Sequence, residues 1–230
     1  MANSPDEVSD AGVPIPRHSE RHRAQIGEHI ERHIGRVEQV FDAQDSDPVR
    51  IRVHHVAPVN SRPYHTLITS GMSARAMNVP ASDADAPRYI ELMVTLPEDW
   101  KVDPQHRDEQ WWWPIRQLET LARFPHTHTT SLNWGHIVPN DDPPKPLAPT
   151  TRLCGAIIVP SLLVPTAFYQ LDLDDRQVAF FAVLPLYKEE LELKLREGTQ
   201  ALLDRLLDHD INDVIAPRRR NVAKRFFGLF

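Results

Sequence analysis

Apolar residues recur along the first part of the chain at two different spacings. From Arg17 to about Gln44 they fall every three or four residues, the period of a helix with one apolar face; the positions are Ile26, Ile30, Ile34, Val37 and Phe41. The segments 49–56, 64–71 and 88–97 instead alternate apolar with polar residues or are rich in β-forming ones. The pattern predicts a helix over 17–44 followed by three neighbouring strands.

Proline then marks two further elements. Pro114 is predicted to begin a helix that runs to about Arg123, because proline is tolerated in a first helical turn and the apolar residues that follow lie on one side. Residues 139–151 contain five prolines, which prevents regular structure. They predict a long extended loop that is suited to linking or binding.

The last third of the chain predicts three more strands and a helix. The strand-like segments are 152–160, 167–173 and 176–187, and the helix is predicted from about Lys188 to Leu207 with an interruption at Gly198. Strands and helices do not alternate in a βαβ rhythm, and short spacings between strands favour antiparallel pairs. The predicted fold class is α+β, with one domain in which helices cover a mixed, mainly antiparallel sheet.

The two ends of the chain differ from this domain in composition. Residues 1–16 are rich in Ser, Asp and Pro and predict a flexible leader, while the domain is expected over 17–222 and a C-terminal tail over 223–230. The first residues lack the positive start and apolar core of a secretory signal, and no apolar run reaches the roughly 18 residues of a membrane span. We expect a cytoplasmic protein, and the single cysteine, Cys154, excludes an intramolecular disulfide.

Charge and glycine content disfavour several classes of ligand. The chain has 26 basic and 32 acidic residues, a formal charge of -6, and a sequence pI near 6.0, so no general attraction to nucleic acid or anionic lipid is expected. Its eight glycines do not cluster into a phosphate-binding loop. We therefore expect no cofactor, no nucleic-acid partner and no membrane partner.

Twelve histidines raise the question of a metal site. His29 and His33 are one helical turn apart, and His126 and His128 share a face if their segment is extended. Neither pair has an acidic or cysteine ligand at a diagnostic spacing, so we interpret these residues as histidines at the border of the core. A metal-dependent hydrolase that uses these four histidines is the alternative enzymatic hypothesis.

Three consecutive tryptophans, Trp111 to Trp113, precede Pro114. Adjacent side chains cannot all face one way, so we expect Trp113 to be buried and either Trp111 or Trp112 to be exposed for binding. A second binding surface is predicted in a groove between the turn at 70–73 and the proline-rich loop. Its candidate residues are Met72, Arg75, Trp134 and His136.

Five segments resemble, in order and at suitable separations, the suppressor of fused domain family. They are YHTLITSGMSARAMNVP, YIELMVTLPEDW, WWWPIRQLETLARFPH, GHIVPN and LPLYKEELELKLREG, and the final RRRNV resembles the arginine-asparagine end of that domain. The resemblance runs from about residue 50 to about residue 222. Each segment is a weak signal alone, and the ordered set is specific.

The resemblance implies an α+β fold and a protein-binding role without established catalysis. Animal members of the family carry a second domain and bind a transcription factor of Hedgehog signalling. Single-domain members are bacterial, and many belong to polymorphic toxin systems, in which they are thought to act as immunity proteins. The leading hypothesis is therefore a non-enzymatic domain with a protein partner, such as a cognate toxin; a regulatory scaffold without a toxin is another alternative, and the oligomeric state stays open.

Overall fold

The alternating segments form the strands of one sheet in the computed structural model, which describes residues 17–43, 48–103, 105 and 107–224. The strands are β1 (Val37–Asp42), β2 (Arg52–Val56), β3 (Tyr64–Ser70), β4 (Ile90–Pro97), β5 (Ile137–Pro139), β6 (Gly155–Val159), β7 (Gln170–Asp172) and β8 (Gln177–Leu186). Their order across the sheet is β1-β2-β3-β4-β8-β6-β5, and β7 pairs with the beginning of β8 beside β6.

The pairing confirms the predicted α+β fold with a mixed, mainly antiparallel sheet. Neighbouring strands are antiparallel except at the centre, where β4 and β8 run parallel with Ile90 opposite Ala179. A parallel pair needs a long crossover connection, and here that connection contains a helix and three shorter strands. The two halves of the chain therefore meet at β4 and β8.

Helices cover both faces of this sheet, and β4 is buried on both sides. On one face, Ile90 and Leu92 pack in the same buried cluster as helix α2 (Glu109–Thr127); on the other, Met93 shares a cluster with helix α1 and the C-terminal helices. The bounds of the other helices are α1 (Arg17–His33), α3 (Lys188–Glu197) and α4 (Thr199–Leu207). None of the helices in the described ranges is long and apolar enough to cross a lipid bilayer.

The N-terminal prediction was wrong beyond His33, because the predicted helix over 17–44 divides into α1 and the strand β1. Gly35 ends the helical path: its N–H still bonds to the Ile30 carbonyl at 3.2 Å, but its φ of 147° lies in the range that favours glycine. Val37 and Phe41 then pair with β2, so tertiary hydrogen bonding overrides the helical spacing. Gln44, the predicted end, lies outside the described residues.

Helix α2 is longer than the predicted 114–123. It begins after Asp108, whose side chain accepts a hydrogen bond from the Gln110 N–H at 2.9 Å, and it contains both Pro114 and Pro125. The Asp108 cap lets the helix begin before Pro114. The predicted interruption of the last helix is confirmed, because Gly198 separates α3 from α4 with a φ of 92°.

A buried ion pair fastens the segment after α4 to the rest of the fold. Both terminal nitrogens of Arg219 bond to the Glu190 carboxylate, at 2.7 and 2.6 Å, and Glu190 is completely buried. We call this contact the Glu190–Arg219 latch. Upstream of it, the Ile215 N–H bonds to the Thr95 carbonyl at 2.8 Å, so the same segment also pairs with β4.

Other groups satisfy the remaining hydrogen-bonding capacity of the latch. The Glu190 carboxylate accepts from the backbone N–H of Tyr187 and of Val222, each at 3.0 Å. Arg219 donates to the Pro185 carbonyl at 2.8 Å, and its own carbonyl accepts from the Tyr187 hydroxyl at 2.7 Å. A buried charge is tolerated only when it is paired and hydrogen-bonded in this way.

Replacing Arg219 with methionine is expected to leave the Glu190 carboxylate buried without its counter-ion. The free energy of unfolding should fall by about 3–5 kcal/mol, the usual effect of removing one partner of a buried pair. Urea denaturation monitored by tryptophan fluorescence measures the change. Arg218→Met is the matched control, since the neighbouring side chain is exposed, and it should change stability by less than about 0.5 kcal/mol. Equal effects of the two variants would contradict the assigned role.

Burial favours the neutral form of three histidines in β2 and β3 by lowering their pKa values. His54 Nε2 lies 2.8 Å from the Ser70 hydroxyl, and His55 Nε2 lies 2.8 Å from His65 Nδ1. His65 donates its Nε2 hydrogen to the Glu98 carbonyl at 3.2 Å, so its Nδ1 accepts from His55. Burial lowers the pKa of His54 and that of His55 to about 4, because desolvation disfavours the charged ring.

The free energy of unfolding is therefore expected to fall as the pH decreases from about 6.5 to about 4. In this window the unfolded histidines bind protons that the folded ones exclude, with a slope of up to about 1.4 kcal/mol per pH unit for each histidine. Urea titrations at several pH values measure the slope. In the variant His54→Asn/His55→Gln the slope should be smaller, and an unchanged slope would show that other groups cause it.

Candidate functional site

A cleft of about 580 Å³ lies between the beginning of α2 and the segment after α4. We call it the Trp111 cleft. Its walls come from the end of β4, the first turn of α2, the end of the proline-rich loop and the segment that the latch holds. The lining residues are Pro97, Asp99, Trp100, Gln110, Trp111, Thr150, Ala216, Pro217, Arg218 and Arg219.

Two tryptophans give this cleft a rigid aromatic wall. Trp100 is buried, and its indole N–H donates to the Trp111 carbonyl at 2.9 Å. Its ring meets the Trp111 ring edge to face, with centroids 5.2 Å apart, and also contacts Trp113 at 6.1 Å. Trp111 is half-buried and lines the cleft, and the Lys101 ammonium lies 5.4 Å from its ring centroid.

The structure therefore distinguishes the three consecutive tryptophans. Trp113 is completely buried, and Trp112 is only 5% exposed. The Trp112 ring meets Phe41 edge to face at 5.5 Å, and the Arg107 guanidinium lies 5.0 Å from it. Trp112 was a candidate for binding, and the structure corrects this because its ring belongs to the core between α2 and β1; Trp111 is the one that borders a cleft.

A second cleft of about 310 Å³ adjoins the first. We call it the Arg152 cleft, and its lining residues are Pro149, Thr150, Thr151, Arg152, Tyr187, Pro217 and Arg218. Thr150, Pro217 and Arg218 line both clefts, so the two clefts are adjacent. Two guanidiniums lie near the Tyr187 ring, with Arg152 at 6.0 Å and Arg219 at 5.2 Å from its centroid.

The proline-rich loop is held firmly between its neighbours. Arg116 of α2 donates to the Leu147 carbonyl at 2.8 Å while it also pairs with Glu109 at 2.9 Å. The Thr151 hydroxyl donates to the Pro217 carbonyl at 2.7 Å. The loop therefore contributes fixed walls to both clefts, and this agrees with its lack of regular structure in the sequence prediction.

The charge within the two clefts is unevenly placed. Asp99 lines only the Trp111 cleft, whereas Arg152 lines only the Arg152 cleft. Arg218 lines both, and the charge of Arg219 is neutralised by Glu190 in the latch. Within the described ranges, the exposed side chains of Arg152 and Arg218 form no hydrogen bond or ion pair. The Arg152 end of the site is therefore positive.

The second predicted surface is only partly at the surface. Met72 has no exposed area, so its side chain offers no contact to a partner and this prediction is corrected. Arg75 is exposed, Trp134 is 46% exposed, and His136 is half-buried. These three stay candidates for a separate binding surface outside the two clefts.

The groove predicted between the turn at 70–73 and the proline-rich loop does not match the contacts of these segments. The Met72 carbonyl accepts from His126 at 2.9 Å, and the Ser73 carbonyl accepts from Arg176 at 3.0 Å. The loop instead contacts Arg116 and Pro217. The sequence gives no measure of which loops meet in space, and here the two loops have different neighbours.

Glu91 explains the turn that follows β3. This fully buried carboxylate accepts from the N–H groups of Gly71 and Ser73, and from the hydroxyls of Ser73 and Thr69, at distances between 2.6 and 3.0 Å. Burial raises its pKa, while these hydrogen bonds act in the opposite direction. The Ser and Thr hydroxyls thus serve a structural anchor. A lone carboxylate within an apolar strand was the signal in the sequence.

The candidate metal ligands are engaged in other contacts. His29 is buried, donates to the Phe168 carbonyl at 3.1 Å and stacks on the Phe168 ring; burial lowers its pKa. His33 contacts the His29 ring at 4.6 Å, His126 donates to the Met72 carbonyl, and His128 is exposed beside Phe124. Among the residues described, no three His, Cys, Asp or Glu side chains are grouped for metal binding.

Comparison with solved structures supports the fold. The chain is similar to a putative suppressor of fused homologue from Neisseria gonorrhoeae FA 1090, with a TM-score of 0.66 and 14% identity over 90% of this chain and 99% of that one. It is also similar to a chain of the Sufu-Fu complex, with a TM-score of 0.58 and 15% identity over 89% and 91% of the respective chains. At these identities the similarity concerns the fold.

A third solved structure, Drosophila Suppressor of Fused, has a TM-score of 0.59 and 16% identity, and the match covers 86% of this chain but spans only 50% of the Drosophila one. A search of curated protein sequences found no match. The family model of the Suppressor of fused protein matches residues 47–220, most of the folded chain and close to the extent of the resemblance in the sequence. The chain belongs to the suppressor of fused family, a family of protein-interaction domains.

Proposed function

We propose that this chain is a non-enzymatic protein-binding domain that accommodates a segment of its partner in the Trp111 cleft. The observation that carries the proposal is the half-buried Trp111, held by Trp100 in a cleft whose other walls include Pro97 and Pro217. Tryptophan is enriched among the residues that dominate binding energy at protein interfaces. An indole that is already fixed loses little conformational entropy when a partner binds.

The residues that line the cleft favour a segment of polypeptide as the ligand. Its lining combines aromatic rings and prolines with a few polar side chains, as in grooves that recognise extended peptides. The adjoining Arg152 cleft extends the site along the proline-rich loop, so a ligand can contact both. The latch and the loop contacts fix these walls before a partner arrives.

A structural relative supports a protein partner. One of the similar solved structures is a complex of Sufu with Fu, so a domain of this fold is known in association with another protein. We extend this association with a protein, though not the identity of the partner, to the present chain. The cleft identified here is proposed as its contact surface.

For the partner itself we propose a cognate toxin, which this domain would neutralise as an immunity protein by covering its surface. The resemblance to single-domain members of toxin systems motivates this choice. A regulatory scaffold is the rival hypothesis, and it would use the same cleft for a partner without toxicity. Toxicity of the product of the neighbouring gene therefore separates the two hypotheses.

Co-expression with the neighbouring gene is expected to test the immunity role. If that gene encodes a toxin, its expression should arrest growth of a bacterial host, and this chain should restore growth. Binding of an inactivated toxin is measured by calorimetry, and Trp111→Ala should weaken it by at least tenfold, as expected for the loss of about 1.4 kcal/mol or more at an anchor residue.

Trp134→Ala is the comparison variant, because Trp134 is an exposed tryptophan of the separate candidate surface and lies outside both clefts. It should leave the affinity unchanged, and urea denaturation should show that both variants stay folded. A loss of affinity in Trp134→Ala but not in Trp111→Ala would indicate that the interface lies on the β5 side of the sheet. A neighbouring toxin that neither binds nor is neutralised would contradict the immunity role.

A further inference from the structure

We infer that the segment bound in the Trp111 cleft is acidic: an apolar residue rests against the tryptophans, and one or more adjacent carboxylates contact Arg152 and Arg218. This inference rests on the proposed function, since it specifies the chemistry of the ligand at the same site. It follows from the placement of charge around the two adjacent clefts.

The latch separates the roles of two neighbouring arginines. Arg219 is directed into the protein, where Glu190 neutralises it, while the next residue upstream, Arg218, is exposed at the junction of the two clefts. Arg152 is exposed beside it and lies above the Tyr187 ring. Two cations without an acidic partner in the described structure therefore border one site, although the whole chain has a formal charge of -6.

A carboxylate is well suited to this pair of guanidiniums. A guanidinium presents a planar fork of N–H donors that matches a carboxylate in a bidentate arrangement. Thr150 lines both clefts, and among the described residues its hydroxyl has no hydrogen-bond partner, so it supplies a further donor. None of the described residues that line the Arg152 cleft is acidic.

The uneven charge also gives the bound segment a direction. Asp99 lines the Trp111 cleft, so an acidic residue at that end would meet a like charge, whereas one placed towards Arg152 would meet two cations. Trp111, Trp100, Pro97 and Pro217 offer apolar surface in the Trp111 cleft. The ligand is therefore expected to bind in one orientation, with its apolar anchor at Trp111 and its carboxylates towards Arg152.

Selection from a displayed library of random, unphosphorylated twelve-residue peptides tests this inference on the full chain. Peptides that bind the wild type and lose at least tenfold in affinity for Trp111→Ala define the ligands of the cleft. We expect these to be enriched in Phe, Trp or Leu with Asp or Glu a few residues away, and to bind more weakly as salt is raised. The double variant Arg152→Ala/Arg218→Ala should weaken them at least tenfold.

Arg36→Ala is the control for loss of an exposed arginine elsewhere, and it should not affect these peptides. The charge reversal Arg218→Glu should shift the selected sequences from Asp and Glu towards Lys and Arg. Peptides that depend on Trp111 but lack acidic enrichment and tolerate the double variant would overturn the inference while leaving the proposed cleft intact. Selected peptides that are all insensitive to Trp111→Ala, or no selected peptide at all, would overturn both.

Discussion

The Glu190–Arg219 latch is the interaction on which the candidate site depends. Glu190 lies in the first turn of α3, and Arg219 lies beyond the end of α4, so the pair closes a loop that contains both helices. Transferring two charges from water into a protein interior costs several kcal/mol for each ion, and only a close, fully hydrogen-bonded geometry offsets this cost. The backbone N–H groups of Tyr187 and Val222 complete that geometry. The latch in turn fixes Pro217 and Arg218, which line both clefts.

The sequence predicted most of the regular elements because apolar periodicity reflects burial. The strands over 64–71 and 88–97 and the interruption at Gly198 were predicted within a few residues of their observed positions. The error at β1 has a physical origin, since apolar residues three and four apart also occur by chance in an edge strand with a mostly polar surface. The three-residue β5 is too short to give any periodic signal.

The candidate site was less predictable because it is assembled from four separated segments. Sequence reasoning identified Trp111 as one of two candidates, and it identified the proline-rich loop as a binding loop. It could not predict that the loop contacts the segment after α4. That contact is a hydrogen bond between Thr151 and Pro217, which are far apart in the sequence. The exposure of Met72 was mispredicted for a similar reason. The Glu91 carboxylate accepts a hydrogen bond from the Gly71 N–H within the protein, and the adjacent Met72 side chain is buried in the core.

The central strand β4 also constrains when the protein can finish folding. Along one of its edges, the first half of β4 pairs with β8 and Thr95 pairs with Val214 and Ile215. The ribosome makes Val214 and Ile215 more than a hundred residues after β4. During synthesis β4 therefore has an edge of unpaired backbone N–H and C=O groups until these partners are made, a state that favours association with other chains. Contacts of such long sequence separation also slow folding. The chain therefore presents this unpaired strand edge until its last strand contacts have formed.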